Sequence, residues 1–311
     1  MMLWRAGPVK GDAPGHAHAG GPEGGGTGMS EAPLSFEPGI ETAARLGAFF
    51  GVLVAMALWQ ALAPRRVETI DWRWRWTNNL ALVALNAALL RLAFPVTTVG
   101  FALLAEARGW GAFNLPELSA PGPVAIVLSI ILLDLAIYLQ HALFHAVPAL
   151  WRLHRMHHAD LEFDVTTGIR FHPLEIVLSQ AIRLAVVAAI GAPALAVLVF
   201  EVVLNATAMF NHANISLPGR LDRVLRWIVV TPDMHRVHHS VLARETNSNF
   251  GFNLPWWDHL LGTYRAQPQA GHLAMTIGLA QFRDRAELRL DRMLLQPWRE
   301  DAGRSQEEAS P

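Results

Sequence analysis

Apolar residues gather along the chain in five stretches, roughly 43–63, 78–104, 122–147, 175–191 and 193–213. A bilayer core takes about 20 apolar residues of helix, and the first three stretches reach that length. The last two are shorter and meet at Gly191-Ala192-Pro193, a breaker that predicts a helical hairpin. The pattern predicts an all-α integral membrane bundle of four to five spans. Residues 1–42 are rich in Gly, Pro and Ala and show no apolar period, so a flexible tail is expected ahead of one domain at 43–311. That tail lacks the basic-then-apolar order of a cleaved leader, and Met29 is an alternative start. Beyond 213 polar residues return. Short amphipathic pieces at 221–230 and 285–295, the latter with Ala286, Leu290, Met293 and Leu294 on one face, predict a helical cap lying on the membrane surface.

Charge gives the bundle a direction. Arg65, Arg66, Arg73 and Arg75 follow the first stretch, Arg152, Arg155 and Arg170 follow the third, and twelve arginines follow the fifth; residues 106–121 carry only Arg108. The positive-inside rule puts 64–77, 148–174 and 214–311 in the cytoplasm. Trp72, Trp74 and Trp76, alternating with Arg, read as an interfacial belt. The expected location is a bacterial inner membrane, or the endoplasmic reticulum in a eukaryote.

Composition narrows the chemistry. The chain is 52% hydrophobic and 16% charged, with a mean hydropathy of +0.26, well below the roughly 25% charge of a soluble domain. There is no cysteine, which excludes disulfides, thiolate zinc sites, a cysteine nucleophile and cysteine-held iron–sulfur clusters. A net charge of −1 offers no electrostatic case for nucleic acid. The unusual number is 14 histidines.

Those histidines are clustered. His141 and His145 form H-x-x-x-H at the end of the third stretch; His154, His157 and His158 form H-x-x-H-H beyond it; His235, His238 and His239 repeat H-x-x-H-H. On a helix, i and i+4 share a face, so His141 and His145 reach one ion, and all three imidazoles of H-x-x-H-H are expected on one side of a turn. Eight imidazoles exceed the roughly four ligands of one zinc and suit two metals. Neutral imidazole serves Fe, Zn, Cu or Ni, so ligand type alone leaves the ion open. All three motifs fall at the predicted cytoplasmic face. His212, closing the fifth stretch at the same face, is expected as a ninth ligand. His172, Asn211 and Asp134 are candidates for a further ligand or a supporting partner. Asp134 lies two turns before His141 and either orients that ring or makes a helix-packing hydrogen bond. Asp160, Asp164 and Asp233 are nearby alternatives. His259 and His272 are isolated and read as structural, and His16-x-His18 in the tail is set aside.

At these residues the sequence resembles the sterol desaturase and fatty acid hydroxylase superfamily of membrane di-iron enzymes, over roughly 120–265. The resemblance rests on Leu133-Asp134-x-x-x-Tyr138-x-x-His141-x-x-x-His145 and Leu150-Trp151-Arg152-Leu153-His154-Arg155-Met156-His157-His158. It continues through Thr166-Thr167-x-x-Arg170-Phe171-His172-Pro173, Thr231-Pro232-Asp233-Met234-His235-Arg236-Val237-His238-His239-Ser240 and Trp257-Asp258-x-x-Leu261-Gly262-Thr263-Tyr264. It implies two irons held by the eight motif histidines with His212, O2 as co-substrate, and oxidation of a lipid C–H bond by hydroxylation or desaturation. Some relatives carry another histidine one turn before the position of His212, where this chain has Ala208, and some space the first motif as H-x-x-x-x-H. No catalytic residue beyond the ligands is assigned. With no Rossmann fingerprint, haem motif or cysteine in view, the expected electron source is a separate ferredoxin, cytochrome b5-like protein or reductase. The competing readings are a divalent-metal transporter, which would place ligands near the bilayer midplane, and a metal-dependent hydrolase.

Overall fold

In the computed structural model, residues 38–300 are described. The expected tail lies outside them, with His16, His18 and Met29, except that Pro38 opens α1 (Pro38–Leu62). Six longer helices follow: α2 (Trp72–Ala93), α3 (Thr98–Ala107), α4 (Gly122–Ala146), α5 (Pro148–His158), α6 (Pro173–Ile190) and α7 (Ala194–Asn211). Six short ones complete the set: α8 (Gly219–Leu225), α9 (Pro232–His238), α10 (Ala243–Thr246), α11 (Trp256–Leu261), α12 (Gly271–Ala274) and α13 (Leu290–Leu295). The described residues contain no strand, only two isolated antiparallel bridges, Pro64 with Ile215 and Ser240 with Ile277.

Five helical segments are long and apolar enough to cross a membrane: Gly39–Leu62, Trp72–Asn114, Gly122–Ala146, Pro173–Ile190 and Ala194–Asn211. The second contains both α2 and α3. The sequence suggested one stretch at 78–104; the structure breaks it at Phe94-Pro95-Val96-Thr97. Pro95 cannot donate to a helix ladder and pushes Phe94 into extended backbone, seen as φ −127° and ψ 93°. Thr97 then caps the next helix, its side chain accepting from Gly100 N. The expected hairpin between α6 and α7 is present. Gly191 closes α6 in the left-handed region at φ 69°, and Pro193 precedes α7. Gly111 is packed against that turn so closely that a Cβ would lie 2.0 Å from Gly191 N.

The ends of α1, α4 and α7 and the starts of α2, α5 and α6 meet at one face, where the histidines are. Two sequence expectations change there. The Trp–Arg alternation is the first turn of α2, not a surface belt throughout. Arg75 is 1% exposed and bonds Asp160 (Oδ2, 3.0 Å) and Asp164 (Oδ2, 2.7 Å), while Trp76 Nε1 donates to Asp164 at 2.9 Å. This clamp fixes the buried segment 159–172 onto α2. The C-terminal piece at 285–295 is not one helix: it divides at Arg289 into a 3-10 turn and α13. Met293 is buried against Leu82 of α2 and Met156 of α5, closing the cap over the site.

Candidate metal centre

Nine histidine rings converge at this face in two groups. His141, His145, His154, His158 and His238 bring one nitrogen each to within 4.8 Å of one another, and His157, His212, His235 and His239 do the same. All nine histidines expected as ligands are brought together, while His172, a candidate for a further one, is not among them. That residue caps α6, with Nδ1 accepting from Leu174 N at 3.2 Å and Nε2 donating to the Leu294 carbonyl at 3.2 Å.

The two H-x-x-H-H motifs are each divided between the groups, contrary to the expectation that all three rings share one side. His154 and His158, i and i+4, enter the five-histidine group while His157 turns into the other; His235 and His239 enter the four-histidine group while His238 crosses over. The i, i+4 pair shares a face, and the i+3 ring lies about 60° of helix rotation from the first and 100° from its neighbour, enough to reach an adjoining ion.

The donor chemistry calls for cations. His141 Nδ1 donates to Phe250 O (2.7 Å) and His238 Nδ1 to Ser248 O (2.7 Å). His157 Nδ1 donates to Arg170 O (3.1 Å) and His212 Nδ1 to Ala208 O (2.7 Å). A carbonyl oxygen only accepts, so in each neutral ring Nε2 holds a lone pair. Yet His141 and His238 bring these lone pairs to 3.0 Å, and His157 and His212 to 3.2 Å. Neither partner can donate, and a shared cation turns both repulsions into bonds. Burial holds His157, His158, His235 and His239 well below the ordinary imidazole pKa, and His212 and His238 at about 3, which keeps these rings neutral and ready to ligate. Buried nitrogens of His145, His154 and His158 find no protein partner, as ligand atoms should.

The supporting partners differ from those suggested by sequence. Asp134 does not reach His141; its Oδ2 accepts from Trp257 Nε1 (2.8 Å) and Leu254 N (3.3 Å), the packing role weighed above. Asp160 and Asp164 hold Arg75, and Asp233 holds Arg65 and Arg236. Asn211 donates its Nδ2–H to Phe252 O at 3.0 Å. The carboxylate that does orient a ring is Glu175, whose Oε1 lies 2.6 Å from His154 Nδ1. Glu175 shares with Asp134 only that it is an acid within an apolar helix; it lies 21 residues after His154, so no helical spacing pointed to that ring. Asp258 also went unassigned: its carboxylate accepts from Phe250 N (2.8 Å) and Gly251 N (2.9 Å), fixing the loop whose carbonyl holds His141. His259 stacks between Trp227 and Tyr264, and His272 sits 3.6 Å from Asp233, both away from the two groups.

A cavity of about 560 Å³ runs from His141 and His154 into the bundle. Apolar side chains such as Phe49, Val83, Ile137, Phe144, Ile176 and Leu204 wall it. Leu46 and Val96 both line it and are about half exposed, which places its mouth between α1 and the α2–α3 break.

The bundle, with five helical segments long and apolar enough to cross a membrane, holds a buried nine-histidine cage beside an apolar cavity, and comparison with known proteins shows what it is similar to. Residues 126–263 match the fatty acid hydroxylase family, in keeping with the resemblance of the motifs to the sterol desaturase and fatty acid hydroxylase superfamily. It is 32% identical over 150 residues to an ornithine lipid hydroxylase of Rhizobium tropici, covering 48% of this chain and 44% of the relative. It is 26% identical over 199 residues to the alkylglycerol monooxygenase of Xenopus tropicalis (63% and 43%), and 27% over 187 residues to the cholesterol 25-hydroxylase of Rattus norvegicus (59% and 60%). The matches thus span about half of these relatives' own length. No solved structure matches the chain.

Proposed function

We propose that the chain oxidises a C–H bond of a membrane lipid with O2, at two irons held by the five- and four-histidine groups. The observation that carries this reading is the pair of facing lone-pair contacts, His141–His238 and His157–His212, with His141 lining the inner end of an apolar cavity. The relatives are hydroxylases and monooxygenases, which favours hydroxylation over desaturation. Iron bound there would supply O2 activation and hydrogen abstraction, chemistry that redox-inert zinc lacks. The protein's own part is positional. Carbonyls 170, 208, 248 and 250 and the Glu175 carboxylate fix ring orientation, and Phe171, stacked 4.5 Å from His157, excludes water beside it. Segments 64–77, 148–174 and 214–300, and with them the site, are assigned to the cytoplasmic face on their arginines, where a separate electron donor of the ferredoxin, cytochrome b5-like or reductase type would dock.

The test is metal content per chain after purification under reducing, iron-replete conditions, with Mössbauer spectroscopy on iron-57 material. Two irons in a coupled pair, and lipid oxidation that stops without O2, are the expected results. Failure to bind iron after removal of other metals and reconstitution would overturn the reading, and turnover without O2 would replace it with a hydrolase.

A further inference from the structure

The mouth of the cavity is charged, and that charge has no part in holding the histidines. Three arginines (Arg45, Arg91, Arg183) and two glutamates (Glu41, Glu201) line this end, a surplus of one positive charge. Ionisable groups inside membrane segments are costly and mark substrate paths. Both glutamates already receive arginine: Glu201 Oε1 receives Thr98 Oγ1 (2.7 Å) and Arg183 Nη1 (2.8 Å), and its Oε2 receives Arg45. Glu41 Oε1 receives Arg45 Nε at 2.9 Å. The donors are in excess. Arg183 Nε is buried with no partner, and Arg91, in the last turn of α2, forms no ion pair among the described residues.

The distance from mouth to rings suits an alkyl chain. Eight residues of α6 separate Glu175, bonded to His154, from Arg183, and eleven separate Glu201 from His212. At about 1.5 Å per residue these are about 12 and 16 Å. An extended chain advances roughly 1.25 Å per methylene, from a C–C bond of about 1.5 Å, so the span holds about ten to thirteen methylenes.

We propose that the cavity takes a single-chain amphiphile tail first and holds its anionic terminus, a carboxylate or phosphate, at the mouth on Arg91 and Arg183. This rests on the cavity being the lipid site. Oxidation is then measured from the anionic terminus, and the carbons presented to the histidines lie about ten or more positions away from it.

Binding to the purified full chain tests this without turnover: displacement of a fluorescent fatty acid by hexadecanoate, hexadecyl phosphate and hexadecan-1-ol. The better anion should compete at least about tenfold more strongly than the alcohol, the scale of one charge-assisted hydrogen bond. Which anion wins separates a free fatty acid from a phosphate headgroup. Arg91→Gln should remove most of that advantage and leave alcohol binding and the melting temperature unchanged, because Arg91 is exposed and unpaired. Hexadecanoate carrying a diazirine near its methyl end should label Phe144 or Phe252. Equal binding of anion and alcohol, an advantage surviving both Arg91→Gln and Arg183→Gln, or labelling at Leu46 or Val96 would overturn the proposal. None of these readouts needs iron or O2, so their failure is separate from failure of the oxygenase reading.

Discussion

Gly168 is the position where one methyl group should separate the two histidine groups. It lies in the 3-10 turn Thr167–Ile169, pressed against α7. A Cβ there would stand 2.3 Å from Ala208 O, 2.9 Å from Ala208 C and 3.1 Å from His212 Nδ1, where ordinary contact begins at 3.4 Å. The turn and α7 must therefore part by about 1 Å, more than the roughly 0.5 Å that a preorganised site tolerates. Neither side has room to give, since Val165, Thr167 and Met209 are all 0% exposed. The overpacking should cost roughly 1–3 kcal/mol, and weakening the His212–Ala208 bond about 1 kcal/mol more. Gly168→Ala should then lower the unfolding temperature and strip metal from the four-histidine group, leaving one metal per chain instead of two. Elemental analysis and thermal unfolding read both effects. Gly219→Ala, where a Cβ meets nothing within 4 Å, is the control. Two metals per chain with an unchanged melting temperature in Gly168→Ala would refute the reasoning.

Glu175→Ala removes the carboxylate behind His154 and should weaken metal binding about 10- to 100-fold at the five-histidine group; chelator competition checks this, and unchanged affinity would return Glu175 to a packing role. Burial opposes ionisation of Asp160, but Arg75 and Arg170 overcome it and hold its carboxyl at about 2, below the ordinary aspartate range. Its folded pKa is depressed, so its contribution of about 2 kcal/mol is present above about pH 4 and lost as pH falls toward 2. Asp160→Asn should be less stable than wild type at about pH 5 and converge with it on acidification; parallel curves would contradict this. His259→Ala loses two ring stacks worth roughly 0.5–1.5 kcal/mol each and should keep both metals, so metal loss in this variant would show the ligand set to be incomplete.

Much of the site was legible because imidazole is rare and its spacing is read locally. His141 and His145, and the outer histidines of each H-x-x-H-H, share faces by helix periodicity alone. The carboxylates were less legible. Asp134 and Glu175 are both acids in apolar helices, and only the fold decides that one meets an indole and the other a histidine. The break at Pro95 was visible in the residues but was covered by the apolar average around it.

The sequence by itself determined the all-helical class, the apolar stretches that become membrane-length segments, the hairpin at Gly191–Pro193 and the nine rings that gather. These follow from hydrophobic period, backbone breakers and residue chemistry, which act over a few neighbours. Only the tertiary structure decided how the rings divide, why Arg75 is buried, and where the cavity opens. Each depends on pairs far apart in the chain, His141 with His238, Arg75 with Asp160, Arg45 with Glu201, and such pairs are set by helix packing that leaves no local mark.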